Sequence, residues 1–89
     1  MKFEWDENKN AANKAKHKLS FDLAWEFPWH EAALFDRSRE DDGEKRYAAV
    51  GLLCGKLHTI IFTKRGHRVR IISLRRANKP EEAAYEKNR

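Results

Sequence analysis

Six Lys/Arg and no acid crowd the thirteen residues from Lys64 to Arg76, KRGHRVRIISLRR, around the apolar Val69, Ile71 and Ile72. Cations held on the face and end of a strand can meet a polyanion such as an RNA backbone. Arginine suits that task, because its planar fork pairs with phosphate oxygens and keeps its charge at any working pH. Arg70, Arg75 and Arg76 fall on or just after this apolar run, with the Ser73 hydroxyl between them. Earlier in the chain, Lys16 and His17 supply another cation and an imidazole, the side chain that titrates nearest neutral pH. These are parts for cleaving a phosphodiester without a metal. That reaction needs a base for the 2′-OH proton, cations for the charge-rich pentavalent phosphate and an acid for the leaving 5′-oxygen. Each group also has a plainer reading: a basic strand can be a solvated edge that resists aggregation, and His17 can hydrogen-bond at a helix C-terminus.

The elements that must position these groups are legible in outline. A short strand from Lys2 to Trp5 leads to a helix beginning near Asp6, whose carboxylate can cap the first turn. Along it Lys9, Asn13, Lys16 and His17 form one polar stripe, opposite a thin apolar one of Ala11, Ala15 and Leu19, which predicts a surface helix. Ser20 caps a second short helix whose Phe21, Ala24 and Trp25 share a face expected in the core, and Pro28 stops it. Ala32 to Phe35 reads as a strand, and Asp36 to Gly43 as a polar loop.

Three β-rich runs follow: Glu44 to Cys54, Leu57 to Lys64 and His67 to Leu74. Gly55-Lys56 and Arg65-Gly66 between them are two-residue turn candidates. Pro80 opens a last helix, with Glu81 and Glu82 favourably placed against its dipole. The fold class is therefore α+β, with N-terminal helices, an antiparallel meander and a C-terminal helix.

Composition limits what such a unit can be. Eighty-nine residues suffice for one domain, 1–89, with a small core and an open, shallow site. The net charge of +5 is unevenly spread, since Glu26 to Glu44 holds seven acids and only Arg37 and Arg39. Opposed charged regions favour a polyanionic ligand and a basic protein partner. The single cysteine, Cys54, forms no intramolecular disulfide and reads as a strand-end core residue in a reducing compartment. MKFEWDENK lacks the apolar stretch of a signal peptide, and no run approaches the ~20 apolar residues of a spanning helix, so a cytoplasmic protein is expected. His17, His30, His58 and His67 share no ligand spacing, and neither metal nor other cofactor is expected. The Gly-rich phosphate-binding and nucleophile-elbow motifs are absent too.

Several segments, taken in order, resemble the BrnT family of toxins. They are Phe3-Glu4-Trp5-Asp6-Glu7-Asn8-Lys9, Asn13-Lys14-Ala15-Lys16-His17, Ser20-Phe21, Gly43-Glu44-Lys45-Arg46, Phe62-Thr63-Lys64-Arg65, Arg70-Ile71-Ile72-Ser73-Leu74-Arg75-Arg76-Ala77 and Glu81-x-x-x-Tyr85. The resemblance implies a RelE-like α+β fold and a ribonuclease toxin of a type II toxin–antitoxin system that inhibits translation. It also implies a BrnA-type ribbon-helix-helix antitoxin, through which alone operator DNA would be bound. Where the family follows its Lys-His pair with glycine this chain has Lys18, which either strains the helix end or changes it.

The reading that joins residues and resemblance is a metal-independent endoribonuclease. His17, Lys16, Glu44, Arg46, Arg70, Ser73 and Arg75 are its candidate catalytic groups. Lys9, Asn13, Lys64, Arg65, Arg76 and Tyr85 are its candidate RNA contacts. Glu44 and Arg46, two apart on an expected strand, are either a base and an anion clamp or a surface charge pair. Tyr85 either packs the last helix onto the sheet or stacks on RNA. The alternative for the whole chain is a non-catalytic nucleic-acid-binding module that uses its cations only on phosphates.

Overall fold

The computed structural model describes residues 2–38 and 43–88. Part of the polar loop expected over Asp36 to Gly43 lies outside them. The strands are β1 (Lys2–Glu4), β2 (Ala33–Asp36), β3 (Tyr47–Leu53), β4 (Lys56–Arg65) and β5 (Arg68–Arg76). They form one sheet in the order β1-β5-β4-β3-β2. β2 to β5 run antiparallel, as the hairpin spacing predicts, whereas β1 joins β5 in parallel, so the sheet is mixed. Helix α1 (Glu7–His17) packs on β5, and α2 (Lys79–Lys87) packs on β3. The expected second helix is a single 3₁₀ segment, Phe21–Trp25, capped by Ser20.

Both hairpin turns sit one residue earlier or later than their sequence candidates. Cys54 and Gly55 form the first, both at positive φ (55° and 80°), the backbone that a tight two-residue hairpin requires. Cys54 is therefore an exposed turn residue and not a strand-end core residue. Gly66 and His67 form the second turn.

The core lies on one face of the sheet. Phe21, Ala24 and Phe27 cover Ala49, Leu53, Ile60, Phe62, Val69, Ile71 and Leu74 there. Trp25, expected in that core, is 62% exposed. Alternation along the strands sends Ala48, Val50 and Thr59 to the opposite face, where they too are buried.

Helix α1 meets the protein through its polar side, the reverse of its apolar-stripe reading. Asn10 and Asn13 are buried, while Ala11 and Ala15 are exposed. Asn10 accepts from the Phe21 amide at 2.9 Å, and Asn13 both accepts from the Leu74 amide at 3.2 Å and donates to its carbonyl at 2.8 Å. Beyond β1, the outer edge of β5 is thus paired by a side-chain amide instead of another strand. Buried polar groups are tolerated where partners are supplied; Asn13 ties α1 to β5, and Asn10 ties it to the 3₁₀ segment.

Candidate active site

A bulge in β5 creates the site. Ile61 faces Ser73 while Phe62 faces Ile71, so Ile72 is the extra residue. The bulge switches the alternation: Val69 and Ile71 enter the core before it, and Leu74 after it. Ile72, although part of the apolar run, is left half-buried beside Ser73. This pair floors two shallow depressions. Lys9, Ala12, Asn13, Lys16 and His17 of α1 wall the first, about 250 Å³. Arg37, Arg46 and Ile61 wall the second, about 310 Å³.

Each wall has a local cause. Asp6 starts α1 by accepting from the amides of Asn8 (2.7 Å) and Lys9 (3.2 Å). One face of the helix then carries Lys9, Asn13, Lys16 and His17. The helix ends at Lys18, whose φ of 62° is left-handed and whose amide donates to Lys14 at 2.9 Å. The lysine thus adopts the backbone that glycine would take at little cost. No protein partner engages the side chains of Lys9, Lys16, His17 or Ser73 among the described residues, which leaves them available to a ligand. On the second wall, the Arg37 amide donates to the Arg46 carbonyl at 2.8 Å, and Ser38 bonds the Arg46 amide at 3.0 Å. This extends the β2–β3 pairing by one residue pair and puts both arginines on the face opposite the core.

Arg75 is held differently from its sequence expectation. Its two Nη groups donate to Glu81 at 2.7 and 2.9 Å, a bidentate pair that takes up the fork expected to grip phosphate. Glu81 is 1% exposed and also accepts from Thr59 (2.9 Å), the Asn78 amide (2.9 Å) and Arg37 (3.3 Å). Burial alone would raise its pKa, but the bonds from Arg75, Asn78 and Thr59 outweigh it and hold the carboxyl at about 2. The same pairing raises Arg75 above the ordinary arginine value. Arg70 likewise bonds Glu4 at 2.8 Å, with Arg68 on the other oxygen at 3.4 Å, which lowers the Glu4 pKa.

Of the predicted site residues, Lys9, Asn13, Lys16, His17, Arg46 and Ser73 come together along this track. Asn13 does so as part of the frame, since its amide is engaged by backbone. Glu44 precedes β3 and does not share a strand face with Arg46; it pairs with Arg65 at 3.4 Å in solvent. Lys64 lies over the Tyr47 ring, 5.6 Å from its centroid, and by alternation both Lys64 and Arg76 belong to the core-side face. Tyr85 is buried, in keeping with its packing reading. The sequence reading missed Arg37, and it missed Glu81 as the hub of an ion cluster. The β2–β3 register would have revealed Arg37, because it stands opposite Arg46. A roomier cleft, about 460 Å³, is formed by Phe3, Trp25, Phe27, Pro28 and Trp29 with His30 and Glu31, and shares no residue with this track.

Comparison with known proteins fits this geometry. The family model described as "Ribonuclease toxin, BrnT, of type II toxin-antitoxin system" matches residues 5–81. The chain belongs to the BrnT family. A 1.1 Å crystal structure of the Brucella abortus ribonuclease toxin BrnT is 36% identical, with a TM-score of 0.71 over 89% of this chain and 99% of that one. No curated protein matches. The BrnT resemblance seen in the segments Phe3 to Tyr85 is thereby established, and with it the α+β fold. Among the described residues no group of three or more His, Cys, Asp or Glu could hold a metal ion, and no helix is long and apolar enough to cross a membrane.

Proposed function

We propose that this BrnT-family chain is a metal-independent endoribonuclease whose cleavage of RNA inhibits translation. The observation that carries the reading is that Ile72 and Ser73, at the β5 bulge, line both the depression walled by the α1 imidazole and the neighbouring one walled by the β2–β3 arginines. An RNA strand crossing both would set its phosphate between Arg46 and the Ser73 hydroxyl, with Lys9 and Lys16 on the flanking backbone. The 2′-oxygen forms a bond to phosphorus as it loses its proton, the bond to the 5′-oxygen breaks, and that oxygen takes up a proton. The products are a 2′,3′-cyclic phosphate and a 5′-hydroxyl. His17 serves one of the two proton transfers, and the cations stabilise the pentavalent phosphate. Arg75 acts through Glu81 as an anchor of this frame, and Arg70 through Glu4.

As a member of a type II family the chain has an antitoxin partner. We assign it the BrnA type, with a ribbon-helix-helix part that alone contacts operator DNA, and place both proteins in the cytoplasm. His17→Ala tests the mechanism. It should slow single-turnover cleavage on the order of 10²–10⁴-fold with an unchanged melting temperature. A variant that melts early but cuts normally would reduce His17 to a helix-end contact. Loss of RNA affinity with no loss of single-turnover rate would favour positioning over proton transfer.

A further inference from the structure

Arg37 occupies an unusual electrostatic position. The Glu81 carboxylate receives five donors: Arg75 through both Nη groups, the Thr59 hydroxyl, the Asn78 amide and Arg37. Oε1 takes three of them, from Arg75, Thr59 and Asn78, and Oε2 takes two, from Arg75 and Arg37, so each oxygen keeps a close donor without Arg37. Arg37 holds the longest of the five contacts, 3.3 Å against 2.7 to 2.9 Å for the others, and is the donor most readily given up. Charge counting points the same way. Two guanidinium groups share one carboxylate, leaving a surplus positive charge. Arg75 is 28% exposed and doubly bonded, whereas Arg37 is 49% exposed, so the surplus sits on Arg37. That side chain lines the depression that also holds Arg46, Ile61, Ile72 and Ser73.

From this we infer that Arg37 is a phosphate-binding residue of the site, transferring its guanidinium from Glu81 to an RNA phosphate when the strand enters. The inference rests on the ribonuclease reading and adds a contact to it. The backbone pairing of Arg37 with Arg46 fixes the two side by side, and the Arg75–Glu81 bond keeps Glu81 satisfied when Arg37 leaves. A phosphate accepting from two adjacent forks would be held in a defined orientation, beyond simple charge attraction.

The test uses the full chain and a 2′-O-methyl oligoribonucleotide, which lacks the attacking hydroxyl and cannot be cut. Arg37→Ala should weaken binding on the order of tenfold and reduce the slope of log affinity against log salt by about 0.7, the increment for one phosphate contact on a single strand. Arg37→Lys should keep that slope while losing part of the cleavage rate on ordinary RNA, because it keeps the charge and loses the fork. Lys87→Ala removes one exposed charge from α2 and serves as the control, with slope and rate unchanged. Should Arg37→Ala melt early, Arg37→Gln carries the same measurement in a longer side chain. An unaltered salt slope and affinity in Arg37→Ala and Arg37→Gln, with wild type binding and cutting RNA normally, overturns the role of Arg37 alone. A wild-type chain that neither binds nor cuts RNA overturns the ribonuclease reading as well.

Discussion

Glu81 shows how a buried charge can serve a surface site. Taking a carboxylate out of water is costly, and it persists here because every lone pair is met by Arg75, Arg37, Thr59 or the Asn78 amide. Its pKa of about 2 lies below the ordinary 4.5, so the folded state favours the ionised form. The resulting stabilisation is fully present above about pH 4.5 and is lost as pH falls towards 2. A shift of that size corresponds to roughly 3 kcal/mol. Glu81→Gln should therefore cost about 3 kcal/mol at pH 7, and the gap to wild type should narrow in urea melts at pH 3. Arg75→Lys should also show mainly as lost stability, because the fork it removes binds Glu81. A full-strength fold with a collapsed cleavage rate would instead return Arg75 to direct phosphate contact.

Elements were legible where periodicity and turn chemistry are local. The Asp6 and Ser20 caps, the three long strands and the proline-led last helix follow from short stretches of sequence, although Asn78 supplies the cap of α2 and places Pro80 one residue inside it. What stayed hidden depends on contacts distant in sequence. The inward polar face of α1 needs Leu74, 61 residues from Asn13, to explain it. The β5 bulge depends on its register with β4, and the Arg37–Arg46 pairing on the end of β2. Stranded charges misled for a similar reason: Lys64 and Arg76 look like neighbours of Arg70 and Arg75 in the chain, yet alternation sends them to the other face. At the end of α1, Lys18 bears a left-handed backbone that costs a non-glycine residue ~1 kcal/mol or more. Lys18→Gly should raise stability by about 0.5–1 kcal/mol in thermal melts, whereas Lys18→Ala should not, since alanine meets the same steric cost. Equal gains from both would show that the helix end is unstrained.

At the scale of the molecule, the sheet separates two tasks. One face holds the aromatic and aliphatic core under the 3₁₀ segment, and the other carries α2, the ion cluster and the arginine wall. Because α2 rests on β3, the Ile61–Ser73 region remains open as a shallow track, suited to an extended polyanion more than to an enclosed small molecule. The cations and the imidazole on that track are the basis for assigning metal-independent cleavage. Single-turnover cutting of a defined RNA by the purified chain in excess EDTA tests this most directly, with the product ends identified. Cleavage that persists in EDTA and leaves a 2′,3′-cyclic phosphate and a 5′-hydroxyl is the predicted result. Activity abolished by EDTA and restored by magnesium would contradict it.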